Sequence, residues 1–233
     1  MTTARQIKKL VRRTLSSSNE LVHLERNVLW HLPIRHVART IAILRCRNHW
    51  FFSLKWFLTG LYMHDAWPTR GLGHYSAEFY RSDYQPNPGG GNLWEWADPS
   101  LEEAFFNCVE SDVLPLMRSV TCARSAVEYI RASEDRLICF GWDRHVVTSI
   151  ALGEFDAARA LWLPHAAPFV KGKVVSEHYQ RTYDRLCELG EPLMADDRAA
   201  LAALLHRWEA ENVRGTALEP YWQPTPFPFE VAA

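Results

Sequence analysis

The chain has 233 residues, of which 48% are hydrophobic and 23% charged. That balance belongs to globular proteins and excludes disordered, collagen-like and disulfide-scaffold classes. The net charge of -1 hides a split: residues 1–100 carry 13 basic and 7 acidic side chains, and residues 101–233 carry 13 and 20.

In chain order, the first predicted element is an amphipathic helix over residues 4–15. Ile7, Leu10, Val11 and Leu15 recur at helical spacing, and Arg5, Lys8, Lys9, Arg12 and Arg13 take the other positions. Ser16–Asn19 ends it. From Leu21 the period becomes two, with Val22, Leu24, Val28, Trp30, Leu32 and Ile34 on one parity and His23, Glu25, Asn27 and His31 on the other. This predicts a half-buried strand or hairpin pair, ended or bulged at Pro33. Residues 37–46, 50–62 and 74–81 are further strand candidates, and their short spacing predicts an antiparallel meander.

Tyr84–Asn92 is turn-forming at nearly every position and predicts an exposed loop within residues 84–99. Beyond it the pattern turns helical. Ser100 and Glu103 have capping-box spacing, Leu101 to Met117 form an apolar ladder, and Pro115 should kink it. Residues 144–152 and 154–163 predict a helical hairpin, with Gly153 at its turn and Pro164 as its stop. Helices are also expected over 174–189, closed by Gly190, and over 197–212, with Leu201, Leu204, Leu205 and Trp208 on one stripe. The tail, 218–229, should run extended. The fold class is therefore α+β: an N-terminal helix and antiparallel β-meander followed by a mainly helical C-terminal half. The expected organisation is a basic helix and sheet over 1–83, a Gly/Pro loop over 84–99, a helical region over 100–217 and a Pro/aromatic tail over 218–233, free to share one compact domain.

Encoded chemistry is sparse. The five cysteines are odd in number, far apart and without a C-x-x-C pair, which points to reduced thiols and a cytoplasmic setting. Residues 1–15 lack the apolar core of a signal peptide. The longest apolar run, 50–63, is too short for a bilayer and contains Lys55, so no membrane partner is expected. Ten histidines raise the question of a metal, but no H-E-x-x-H or H-x-H is present, and His64, Asp65 and His74 are the least unsuitable triad. Neither Gly71–Ser76 nor Gly89–Asn92 completes a phosphate-binding motif, and no nucleophile elbow occurs. No cofactor is expected.

The ten tryptophans are the unusual feature, six of them in the first hundred residues. Trp94 and Trp96 beside the glycine loop, with Asn92 and Arg70, are the candidate binding residues, because Trp and Arg anchor interfaces. Residues 151–161 resemble the turn of a tetratricopeptide-type helical hairpin, present in a single copy. The wider layout, through Pro33–Val37 and Pro226–Glu230, resembles bacterial domain-of-unknown-function proteins, a resemblance that implies no chemistry. The function expected is a non-catalytic protein-interaction module of a bacterial cell, of the immunity-protein or adaptor type. The alternatives are a nucleic-acid binder using the basic aromatic half, and a hydrolase with a dispersed active site.

Overall fold

The computed structural model describes residues 2–25, 27–66, 75–79, 93–132, 141–170 and 177–231. The first helix, α1 (Ala4–Ser17), opens on a capping box: the Thr3 hydroxyl accepts from the Gln6 N–H, and the Gln6 side chain accepts from the Thr3 N–H. Its apolar stripe, Ile7, Leu10 and Val11, is buried.

Five strands follow as a meander. β1 (Leu21–Glu25), β2 (Val28–His31), β3 (Val37–Arg45), β4 (Phe51–Gly60) and β5 (Tyr75–Glu78) pair antiparallel in chain order. A sixth strand, β6 (Leu93–Glu95), pairs with β4 and corrects the expectation of loop throughout 84–99. Cross-strand packing decides it. Trp94 lies opposite Phe52, their rings stacked at 6.1 Å, and that apolar pair outweighs the neighbouring turn residues. Tyr84–Asn92 itself lies outside the described residues.

The sheet is covered on both faces, which the half-buried reading of residues 21–34 did not anticipate. Leu29, Ile41, Ile43, Leu54, Trp56 and Leu58 belong to the main core, with α1 and the later helices. Val28, Trp30, Ala38, Ala42 and Phe57 form a second cluster with Val213, Leu218 and the partly buried Tyr221 and Trp222. The parity expected to face solvent at His31 therefore lies in the interior.

After the sheet come α2 (Leu101–Cys108), a π-helical turn (Val109–Val113) and α3 (Leu114–Ser119). The widened turn lies just before Pro115, which cannot donate an i→i−4 bond and needs space for its ring. The Ser100–Glu103 capping box does not form. Asp98 Oδ1 instead accepts from both the N–H and the hydroxyl of Ser100, and Glu103 turns to Arg13 on α1. A further helix, α4 (Ala123–Ala132), was not expected from the sequence.

α5 (Trp142–Leu152) and α6 (Phe155–Val170) form the expected hairpin, with Gly153 at φ +78° in the left-handed region. A Cβ there would meet Phe229 Cβ at 3.0 Å, so conformation and close approach both select glycine. Pro164 does not stop α6, which continues to Val170. Proline's fixed φ is itself helical, and the loss is one hydrogen bond in a packed helix. Nor does Gly190 close α7 (Glu177–Met194). It lies inside the helix because a Cβ would fall 2.9 Å from Trp162 Cζ2; the glycine is small for packing, not for termination.

α8 (Arg198–Val213), capped by Asp197, follows. The tail is not extended throughout: it makes a 3₁₀ turn (Glu219–Tyr221), bridges Trp222 to Ile34 beside the sheet, and ends in α9 (Pro228–Val231). Among the described residues no helix is long and apolar enough to cross a membrane.

Candidate functional site

The described tryptophans sort by burial. Trp30, Trp56, Trp94, Trp162 and Trp208 are core residues. Trp94 is 2% exposed. Trp96 is partly buried, its ring 4.3 Å from Phe52 and its Nε1–H donating to Thr2 Oγ1. The two rings do share one side, as two-residue spacing on a strand requires, but that side is the core, so Trp94 offers no binding surface. Asn92 and Arg70 lie outside the described residues.

Trp50 is the one described tryptophan that is exposed, at 58%. It closes the β3–β4 connection, whose Arg45, Arg47, Asn48 and His49 are exposed as well. The turn is built locally. Asn48 Oδ1 accepts from the Trp50 N–H, Asn48 O from the Phe51 N–H, and Trp50 O from the Trp96 N–H. The His49 ring lies 4.9 Å from the indole. Backbone hydrogen bonds thus fix the base of an outward tip carrying two guanidinium groups and one large ring.

The basic helix does not offer all its cations. Lys9 pairs with Glu102 at 2.5 Å and Arg13 with Glu103, so α1 lies against the acidic first turn of α2. Arg5, Lys8 and Arg12 remain exposed. Arg39 is buried beneath α3, donating to the carbonyls of Pro33, Met117 and Val120. Burial, with Arg35 nearby, lowers its pKa to about 10.

Two buried polar assemblies, neither of them read from the sequence, hold the helices to the sheet. In the first, His64 Nε2 donates to Asp143 Oδ2 at 3.0 Å, and the neighbouring Asp65 accepts from Nε and Nη2 of Arg144. Burial would raise the Asp143 carboxyl, but the hydrogen bond and charge of His64 hold it below its ordinary value. His64 Nδ1 is buried without a hydrogen-bond partner. Arg185 and Asn212 satisfy the carbonyls of Leu61, Met63 and His64. The candidate metal residues His64 and Asp65 are thereby each engaged by a side chain of α5, which the spacing argument missed because Asp143 and Arg144 are about eighty positions away. His74 lies outside the described residues. Among the described residues no cluster of three ligand-type side chains is placed to hold a metal.

The second assembly centres on Glu209 of α8. His36 Nδ1 donates to Glu209 Oε2 at 2.7 Å, and Trp222 Nε1–H donates to Glu209 Oε1 at 2.7 Å. His36 Nε2 faces Pro226 O and Thr225 Oγ1, both at 3.2 Å, and its ring stacks on Phe227 at 4.0 Å. Glu209 is fully buried. Burial and the charge of Glu209 hold the Tyr62 phenol far above its ordinary pKa. One signal for these residues was present: Asn212 follows Trp208 by four, a polar residue at the next position of the α8 stripe.

His31 is a third buried polar group. It is 4% exposed, with no hydrogen bond to either ring nitrogen. Burial, with the charge of Arg39, lowers its pKa to about 4. The folded value lies below the unfolded one, near 6.5. As pH falls from about 6.5 to about 4 the unfolded chain gains a proton that the folded chain refuses, and stability drops by up to about 3 kcal/mol. Above that window His31 is neutral in both states and has no effect. The stability difference between wild type and His31→Leu, from denaturant titrations across this range, is expected to show the slope; a pH-independent difference would refute it.

Comparison with known protein families, with curated proteins and with solved structures finds no match.

Proposed function

We propose that the chain is a non-catalytic protein-interaction module of a bacterial cell, of the immunity-protein or adaptor type, and that it docks through the β3–β4 tip. Trp50 is the observation that carries this reading. A ring 58% exposed, on a turn whose backbone is pinned by hydrogen bonds, loses little conformational entropy on binding. Arg45 and Arg47 beside it match the residue types that dominate interface energetics. Their charges suit a partner with acidic groups around an apolar pocket. The thiols of Cys46, Cys108, Cys122 and Cys187 fit a cytoplasmic setting.

Trp50→Ala removes surface that the fold does not use. It is expected to change folding stability by less than about 0.5 kcal/mol, while weakening partner binding by about 2 kcal/mol or more. The test is native purification from the host, identification of a stoichiometric partner, and affinity measurement with wild type, Trp50→Ala and Arg45→Glu/Arg47→Glu. A partner indifferent to both variants overturns the reading. Tight binding to random duplex or single strand with a steep salt slope would favour the nucleic-acid alternative, with Arg5, Lys8 and Arg12 as its exposed cations.

A further inference from the structure

At the opposite end of β3 from this tip, about 26 Å away along eight strand positions, lies a cleft of 710 Å³. It opens where β1 begins and β2 ends, between the helices on one face of the sheet and the C-terminal tail on the other. Ser17–Glu20 form one wall, Glu110 and Arg118 a second, and Leu32, Pro33 and Tyr221 an apolar third. Its size is that of small-molecule sites.

We propose that this cleft binds an organic cation: a primary ammonium or guanidinium group on a short apolar body. Two features supply the negative field. Glu110 is met by the neutral Ser17 hydroxyl, which donates to Oε1 at 3.0 Å, so its charge is uncompensated among the described residues. The C-terminus of α1, carrying the negative end of the helix dipole, ends at this wall and has no basic residue in its last turn.

The nearby cations do not cancel this field. Arg118 Nε donates to Glu20 Oε2 at 2.9 Å, which answers Glu20 and leaves Glu110 alone. Arg39 is buried and committed to its three carbonyls. His31 sits directly behind Glu20, its Nε2 3.6 Å from Oε2, almost fully buried and unpartnered. Neutral there, it adds no charge and leaves a polar group under the cleft wall without a partner. Leu32, Pro33 and Tyr221 give the ligand's body a surface on which to shed water. The site is separate from the hairpin tip and stands or falls independently of it.

The test titrates the full chain with phenethylammonium and butylguanidinium, with phenylacetate as a control of similar size and opposite charge. Calorimetry gives affinity, and amide chemical shifts give location. Saturable one-to-one binding of both cations is expected at millimolar Kd or tighter, with shifts centred on Ser17–Glu20 and Glu110 and none for phenylacetate. Glu110→Gln still accepts from Ser17 and should fold unchanged, yet weaken cation binding by about tenfold or more. A capped peptide containing one lysine or arginine distinguishes sources: peptide binding tighter than the free amines identifies a polypeptide side chain as the natural occupant. Failure of both cations to saturate, equal binding of phenylacetate, shifts centred elsewhere, or indifference to Glu110→Gln would overturn the proposal. The wild-type shift map keeps the test decisive even if the variant does not fold.

Discussion

Replacing Glu209 by alanine is expected to destabilise the fold by about 3–5 kcal/mol and to loosen the C-terminal tail. The carboxylate is fully buried on α8 and accepts from the buried His36 and the partly buried Trp222. Removing it leaves His36 Nδ1 in the interior and Trp222 Nε1 at its edge without their acceptor, and a buried donor left unpaired costs more than the bond was worth. Trp222 anchors the tail to the sheet through its bridge to Ile34, while Gln223 N–H donates to Ile34 O. Loss of Glu209 should therefore shift tryptophan emission to the red and open the tail to protease before global unfolding. The double variant Glu209→Leu/His36→Phe removes both polar partners and should recover part of the loss, because an apolar pair needs no hydrogen bond. Denaturant midpoints for the single and double variants test this. A single variant within about 1 kcal/mol of wild type would show that the buried pair does not hold the tail.

Trp94→Ala is expected to cost about 3–5 kcal/mol through the cavity left between sheet and helices. The indole stacks on Phe52 at 6.1 Å and meets the Phe105 edge at 6.3 Å, so one ring joins β6, β4 and α2. Trp96→Ala should cost less, since that ring is only partly buried and one hydrogen bond to Thr2 is lost. Paired melting curves separate the two. Near-equal small losses would return both rings to the surface and revive them as binding residues.

These two variants also mark where sequence reading reaches its limit. Two-residue spacing at Trp94 and Trp96 correctly gave a shared side, since alternation is a property of the extended backbone alone. Which side of the sheet that was depended on Phe52, some forty positions away. Gly190 and Pro164 fail for the same reason. Local propensity reads a glycine as a terminus and a proline as a stop, whereas Trp162 against Gly190 makes the glycine a packing residue.

What the sequence determined by itself was local and periodic: α1 and its apolar stripe, the antiparallel meander, the α5–α6 hairpin with Gly153 at its turn, and Asp197 at the start of α8. Each follows from side-chain periods of 2 or 3.6 and from turn chemistry, which act over a few residues. Only the tertiary structure decided that both sheet faces are covered, that Arg39 and His31 are interior groups, and that His64 meets Asp143 and His36 meets Glu209. Burial and hydrogen bonding at sequence separations of 79 and 173 are set by how the layers stack, and no local pattern carries that information. The exposed Trp50 tip and the Glu110 cleft belong to the same category: their residue types were plain in the chain, but exposure and convergence exist only once the helices and the tail have closed over the sheet.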